Sequence, residues 1–396
     1  MKISKIKNCA LILIITSVFL FIIEGVASLI FYHKLKLPAW SVSSAVHLFV
    51  SSRALNKKFQ YEVILEKTDI VVPSEDKLHA VLSERAEGID AYPTYLFEPQ
   101  YHHPDDPYFL ANVPRSHLIY CNENGFFNNW VSDEIGFRNP MGQLNDPVDF
   151  IFIGDSFTVG ACENEEGTLA GYFRSKGTTV ANFGRAGTGP LFQLATLVEY
   201  GDLFRAKGVV WVVFTGNDLM NLTEEKTTLL QRYMDPDFNQ SLYLRRSEIE
   251  ARLTEFLEMQ LEENKLRYDS GIPYPANHGY GEALDAYTAQ KYESVLLADV
   301  AKRIYEVTKS QKKDLWIVIL NHHDYNADFK TITSNTIKDF AEKNSVKYIE
   351  FSSDYLTVHR QFYTADGTHF NADGYRNIGA MIFDWLATGP VNSMEK

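Results

Sequence analysis

Five short apolar runs rich in β-branched residues recur along this chain, at 149–154, 179–183, 208–215, 315–320 and 346–351, with helix-patterned stretches between them. Strands that follow one another in this way must be joined by helical crossovers, so the pattern specifies an α/β fold on a parallel sheet. In such a sheet, chemistry collects in the crevice at the carboxyl ends of the strands. The residues just after each run are therefore the ones to read.

The first run ends in Gly154, Asp155, Ser156 and Phe157, which puts a serine where a strand breaks into a helix. A serine hydroxyl is a weak nucleophile at neutral pH. It needs a base to take its proton and a third group to orient that base. Asp366 and His369, three residues apart before the last helical pattern, offer both. The helix expected after Gly154 would aim peptide N–H groups and a partial positive charge at a developing oxyanion. Two further donors follow later strands. Gly187 lacks a Cβ and permits close approach of its N–H, and Asn217 carries a side-chain amide. Asp155 reads as a hydrogen bonder at the turn.

The amino terminus sets the compartment. Lys2, Lys5 and Lys7 precede an apolar stretch from Cys9 to Tyr32 that is interrupted by Glu24. A bilayer needs about 20 such residues, so 1–32 reads as a signal anchor or transmembrane helix with the rest of the chain outside. Val26, Ala27 and Ser28 resemble a cleavage site, but the apolar stretch is longer than a usual signal peptide. Residues 33–147 form a neck and lead-in, with a helix-like stretch from Ser51 to Glu66 and then a passage rich in Pro and Tyr. A main domain follows over 148–390. It is interrupted at about 220–313, where Ser247 to Arg267 reads as an amphipathic helix with Leu253, Phe256, Leu257 and Leu261 on one side. This helical insertion is a solvated excursion, a lid or a partner surface.

The formal charge of -13, from 51 acidic and 38 basic residues, excludes a nucleic-acid partner, because an acidic surface repels phosphate. Neutral carbohydrate or acylated substrates fit better. The three cysteines leave Cys121 and Cys162 as the pair in the exported part, free or joined in a disulfide. The paired histidines His102 and His103, and His322 and His323, sit beside aspartates. Neighbours on an extended segment point apart, so polar loop positions explain them better than metal ligation does. The stretch from Asp235 to Asn239 mimics the opening of a calcium loop, yet Gln240 stands where a glycine is required. No metal or cofactor is called for.

Taken in order, Gly154-Asp155-Ser156, the stretch from Asn182 to Gly187, Gly216-Asn217-Asp218, and the stretch from Asp366 to Gly374 resemble the four motif blocks of the SGNH (GDSL-type) hydrolases. The resemblance spans roughly 148–386. It implies a flavodoxin-like three-layer α/β/α fold with Ser156 as nucleophile, His369 as base and Asp366 as its orienter. It also implies an oxyanion hole formed by the Ser156 backbone, Gly187 and Asn217. The segment from Asp133 to Pro140 is similar to the lead-in of membrane-anchored members that act on envelope polysaccharides. Thr215 departs from the pattern, standing where the third block usually has a glycine, and so does the long insertion. The activity implied is an extracytoplasmic serine esterase removing an acyl group, acetyl foremost, from a carbohydrate or lipid through an acyl-enzyme. An O-acetyltransferase would share that intermediate and pass the acyl group to a sugar hydroxyl. A membrane-tethered binding subunit without catalysis is the third class, and complete motifs argue against it.

Overall fold

The computed structural model describes residues 75–94, 107–144, 146–269, 293–321, 327–365 and 369–388. The expected anchor at 1–32, the stretch from Ser51 to Glu66, both histidine pairs and Asp366 lie outside the described residues. Among the described residues, no helix is long and apolar enough to cross a membrane.

Eight strands are described: β1 (Ala91–Pro93), β2 (His117–Ile119), β3 (Asn129–Val131), β4 (Val148–Ile153), β5 (Val180–Asn182), β6 (Ala206–Phe214), β7 (Asp314–Leu320) and β8 (Lys347–Phe351). The helices, in chain order, are α1 (Glu75–Ala86), α2 (Ser156–Val159), α3 (Leu169–Ser175), α4 (Pro190–Tyr200), α5 (Asp218–Glu225), α6 (Arg246–Asp269), α7 (Ser294–Ser310), α8 (Ala327–Lys343), α9 (Ser353–Val358) and α10 (Ala372–Thr388). The last five strands form one parallel sheet in the order β5-β4-β6-β7-β8. Counted within the sheet this order is 2-1-3-4-5, the doubly wound arrangement whose chain direction reverses beside its first strand. The crevice of such a sheet opens at the end of β4, which is where Ser156 lies.

Strand alternation builds three layers. Ile151, Ile153, Val209, Trp211, Val213, Ile317 and Ile319 face one way, packing on α4, α5, α7 and α8. Phe152, Val210, Val212, Val318, Ile349 and Phe351 face the other way, packing on α3 and α10. The period of two in the side chains is what lets one sheet bury both faces. Each fully buried Val, Leu, Ile or Phe in these layers contributes about 1.5–3 kcal/mol. Tyr108, Leu110, Ile135 and Phe137 join the first layer, so the stretch before Val148 is built into this core.

A third cluster lies apart from the sheet. Strands β1, β2 and β3 form a small mixed sheet, and Leu78 and Val81 of α1 pack on it together with Leu253, Leu257 and Leu261 of α6. The helix expected over Ser247 to Arg267 forms, but its apolar side is not solvated. Leu253, Leu257 and Leu261 are buried against the lead-in, and Glu258 makes a bidentate pair with Arg85 at 2.9 and 2.6 Å. The same cluster includes Val159, Ala161 and Cys162, immediately after the turn that carries Ser156.

Candidate active site

Gly154 makes the turn out of β4. Its φ is +155°, and a Cβ there would collide with the Thr158 side chain and the Val212 carbonyl, so only glycine lets the chain double back so tightly. Ser156 then opens α2, which is a single turn rather than a long helix. Asp155 caps it by accepting from the Phe157 N–H at 3.0 Å, and Gly160 closes it in the left-handed conformation. One turn carries little macrodipole. The donor available at this point is therefore the individual Ser156 peptide N–H rather than a helix end.

His369 arrives from the far end of the chain. The Tyr363–Phe370 bridge and the Thr364 N–H donating to the His369 carbonyl at 2.8 Å pinch this loop. Asn371 donates to the Gln361 and Tyr363 carbonyls at 2.7 and 2.8 Å and accepts from the Gly374 N–H at 3.0 Å, which ties the pinched loop to the start of α10. The result is a hydrogen bond of 2.9 Å between His369 Nε2 and Ser156 Oγ, across 213 positions of sequence. Ser156 is 5% exposed and the His369 side chain 12%, so the pair is largely shielded from water.

The other imidazole nitrogen is held by a residue that sequence reasoning missed. Glu123 Oε1 lies 2.7 Å from His369 Nδ1, and its Oε2 accepts from Thr364 Oγ1 at 2.7 Å and from the His369 N–H at 3.1 Å. Burial by itself would raise the Glu123 carboxyl, but the hydrogen bond and charge of His369, with the Thr364 and backbone bonds, outweigh it and hold the group below the usual carboxylate range. The only sequence signal was oblique. Glu123 stands two residues after Cys121, and Cys162 stands six after Ser156. Cys121 and Cys162 form a disulfide, with a Cα–Cα separation of 5.1 Å.

Gly187 and Asn217 follow β5 and β6, the strands that flank β4. Gly187 has φ +69°, which turns its peptide in a way that favours glycine, and it is exposed. Asn217 precedes α5 without capping it, and its Oδ1 is buried with no partner among the described residues. The loop after β5 is bonded to the Ser156 turn by the Arg185 N–H donating to the Gly154 carbonyl at 3.1 Å and by Asn182 Nδ2 donating to the Thr158 carbonyl at 2.9 Å. Thr215, the departure from the third motif, donates its buried hydroxyl to Asn321 Oδ1 at 3.0 Å and so ties the ends of β6 and β7 together. Beneath them, burial raises the Asp155 carboxyl to about 6. Burial and then the charge of Asp155 push Asp218 well above its ordinary value.

The lead-in motif has a mechanical role. Arg138, buried and lying over the Trp130 ring at 4.5 Å, donates to the carbonyls of Val159, Gly160 and Glu163 at 3.2, 2.8 and 2.8 Å. It therefore satisfies the Val159 and Gly160 carbonyls that the end of a one-turn helix leaves open and ties Glu163 beside them. Asp133 accepts from the Ile135 and Phe137 N–H groups at 2.9 Å each and from Asn139, whose Oδ1 in turn accepts the Asn182 N–H at 2.7 Å.

Cys121, Glu123, Cys162 and His369 offer ligand atoms within 4.8 Å of one another. Metal ligation by cysteine requires a thiolate, and the two sulfurs here are bonded to each other, so the set does not suit a cation. The aspartate-rich stretch from Asp235 is a local turn, with the Asp237 N–H donating to Asp235 Oδ1 at 3.0 Å.

The sequence profile of the GDSL-like Lipase/Acylhydrolase family matches residues 150–382. The chain belongs to this family. It is thereby an ester hydrolase of the GDSL type, on an α/β fold with a parallel sheet. Among solved structures it is similar to a lipase/acylhydrolase from Enterococcus faecalis, at 13% identity and a TM-score of 0.34, covering 60% of this chain and 95% of that one. It is also similar to a psychrotrophic esterase from Pseudoalteromonas sp., at 11% identity and a TM-score of 0.34, covering 62% and 100%. A GDSL-like lipase from Bacteroides thetaiotaomicron stands at 15% and 0.34, covering 63% and 92%. No curated protein matches the chain.

Proposed function

We propose that this GDSL-type hydrolase is a membrane-anchored extracytoplasmic esterase that removes an acetyl or other short acyl group from a carbohydrate or lipid. The observation that carries the chemistry is the 2.9 Å bond between Ser156 Oγ and His369 Nε2. As the Ser156 oxygen attacks the ester carbonyl, His369 Nε2 takes the hydroxyl proton. The carbonyl oxygen becomes an oxyanion, for which the Ser156 N–H, the Gly187 N–H and the Asn217 side-chain amide are the donors. His369 returns the proton to the departing alcohol, leaving an acyl-Ser156 that water hydrolyses with His369 again as base. Asp366, three residues before His369, is the acid that the motif offers.

The exported location rests on the basic, apolar start of the chain and is supported by the Cys121–Cys162 disulfide, since such bonds persist in oxidising compartments. The envelope-polysaccharide reading rests on the segment from Asp133 to Pro140. Full-length protein incubated with an active-site phosphonate, then digested, is expected to carry the label on Ser156. Ser156→Ala is expected to abolish turnover of an activated acetyl ester without moving the thermal midpoint. Wild-type turnover in that variant would remove the assignment. Adding an oligosaccharide to the same assay separates the two outcomes for the acyl group: free acetate is the hydrolysis proposed here, and acetylated sugar makes the protein an O-acetyltransferase.

A further inference from the structure

We propose that Glu123, on the hairpin between β2 and β3, is the carboxylate that positions His369, and that the Cys121–Cys162 disulfide straps this hairpin to the nucleophile turn. The assignment rests on the Ser156–His369 esterase reading and deepens it.

A neutral imidazole has one N–H and one basic nitrogen, and the bond made by the first decides which nitrogen is the base. With Nδ1 donating to Glu123 at 2.7 Å, Nε2 is left basic and faces the Ser156 hydroxyl. The Cys162 sulfur lies 3.6 Å from the same Nδ1, too far and too weak an acceptor to compete with a carboxylate. Glu123 is also bound through its second oxygen to the Thr364 hydroxyl and the His369 peptide, so it grips the ring and the backbone of the loop together. A carboxylate held in this way fixes the tautomer and stabilises the imidazolium formed when the serine proton is taken.

Glu123 owes its position to the loop that carries it. Cys121 is bonded to Cys162. Asn124 Nδ2 donates to the Cys162 carbonyl at 3.3 Å and to Glu163 Oε1 at 3.0 Å, and Asn128 Nδ2 donates to the Glu163 carbonyl at 3.2 Å. Cys162 itself has φ +63°, a conformation that a non-glycine residue adopts only when its surroundings hold it there. One covalent link and these side-chain bonds thus join the hairpin to residues just past α2. The site is completed by a segment that precedes the 150–382 span matched by the family.

The test uses full-length protein whose Ser156 takes the phosphonate label. Glu123→Gln keeps the size of the side chain and removes its charge. It is expected to lower kcat at least about 100-fold with KM nearly unchanged, the loss that follows when the base is left in the wrong tautomer. The acid limb of kcat/KM should move to lower pH, because a neutral amide no longer favours the imidazolium, and Glu123→Asp should recover part of kcat. A merely structural glutamate would move the thermal midpoint and leave the acid limb in place. Glu123→Gln with kcat within a few-fold of wild type overturns the assignment, as does an unmoved acid limb, and a large loss in Asp366→Asn alone would return the role to Asp366. The double variant Cys121→Ser/Cys162→Ser is expected to lose kcat while keeping the Ser156 label, and unchanged kcat there overturns the strap. Absence of label on Ser156 together with wild-type turnover in Ser156→Ala would retire the esterase reading itself, and Glu123's role with it.

Discussion

The Ser156 hydroxyl has two acceptors within reach, His369 Nε2 at 2.9 Å and Asp155 Oδ2 at 3.5 Å. The shorter bond takes the proton, which leaves Asp155 as the cap of α2 and not a second base. Asp155 adds a stability effect of its own. Its folded value of about 6 lies above the unfolded 3.8, so the folded state binds the proton more tightly and stability declines as pH rises through that window. Asp155→Asn keeps an acceptor for the Phe157 N–H and removes the charge. Its thermal midpoint is expected to exceed wild type by a few degrees at pH 7, with the difference vanishing near pH 4, as a pH series of melting curves would read directly.

At the scale of elements, helix α4 depends on a buried carboxylate that is remote in sequence. Glu225 accepts from the N–H groups of Gly189, Leu191 and Phe192, at 2.5, 3.0 and 3.2 Å, at an N-terminus whose own cap position is a glycine without a side chain. Burial pushes Glu225 up to about 8 against these bonds. Glu225→Ala would leave three buried donors unmet and open a cavity, and the expected cost is about 2–4 kcal/mol in denaturant unfolding, with β4 to β8 intact. The five sheet strands were legible because each is a short, largely apolar run set between helical stretches, and observed bounds such as Val148–Ile153 and Asp314–Leu320 differ from the expected ones by a residue or two. Strands β1 to β3, at three residues each, are too short for a period to register. Ser156 and His369 were legible as candidates because Gly154 meets the demand of a strand-ending turn and because Asp366 and His369 stand three residues apart. Glu123 lies in a hairpin with no such demand and meets His369 across 246 positions, so only the fold brings it into view.

For the molecule as a whole, the lead-in and the insertion make one side layer, joined by burial and by charge in unequal measure. The Arg85–Glu258 pair is bidentate, but its side chains are 25% and 45% exposed, and solvent screens such a pair to about 1 kcal/mol or less. Leu257 is 2% exposed among Leu253, Leu261 and the lead-in residues Leu78 and Val81. Truncating it removes apolar contacts and leaves a void, at an expected cost of about 2–4 kcal/mol. The two variants therefore rank the forces that hold this layer. Leu257→Ala should lower the thermal midpoint clearly, and Arg85→Met by much less, with only the latter difference shrinking in high salt. Equal losses in the two variants would mean that the Arg85–Glu258 pair contributes as much as Leu257 to holding the insertion, and the ranking of burial over charge would fail.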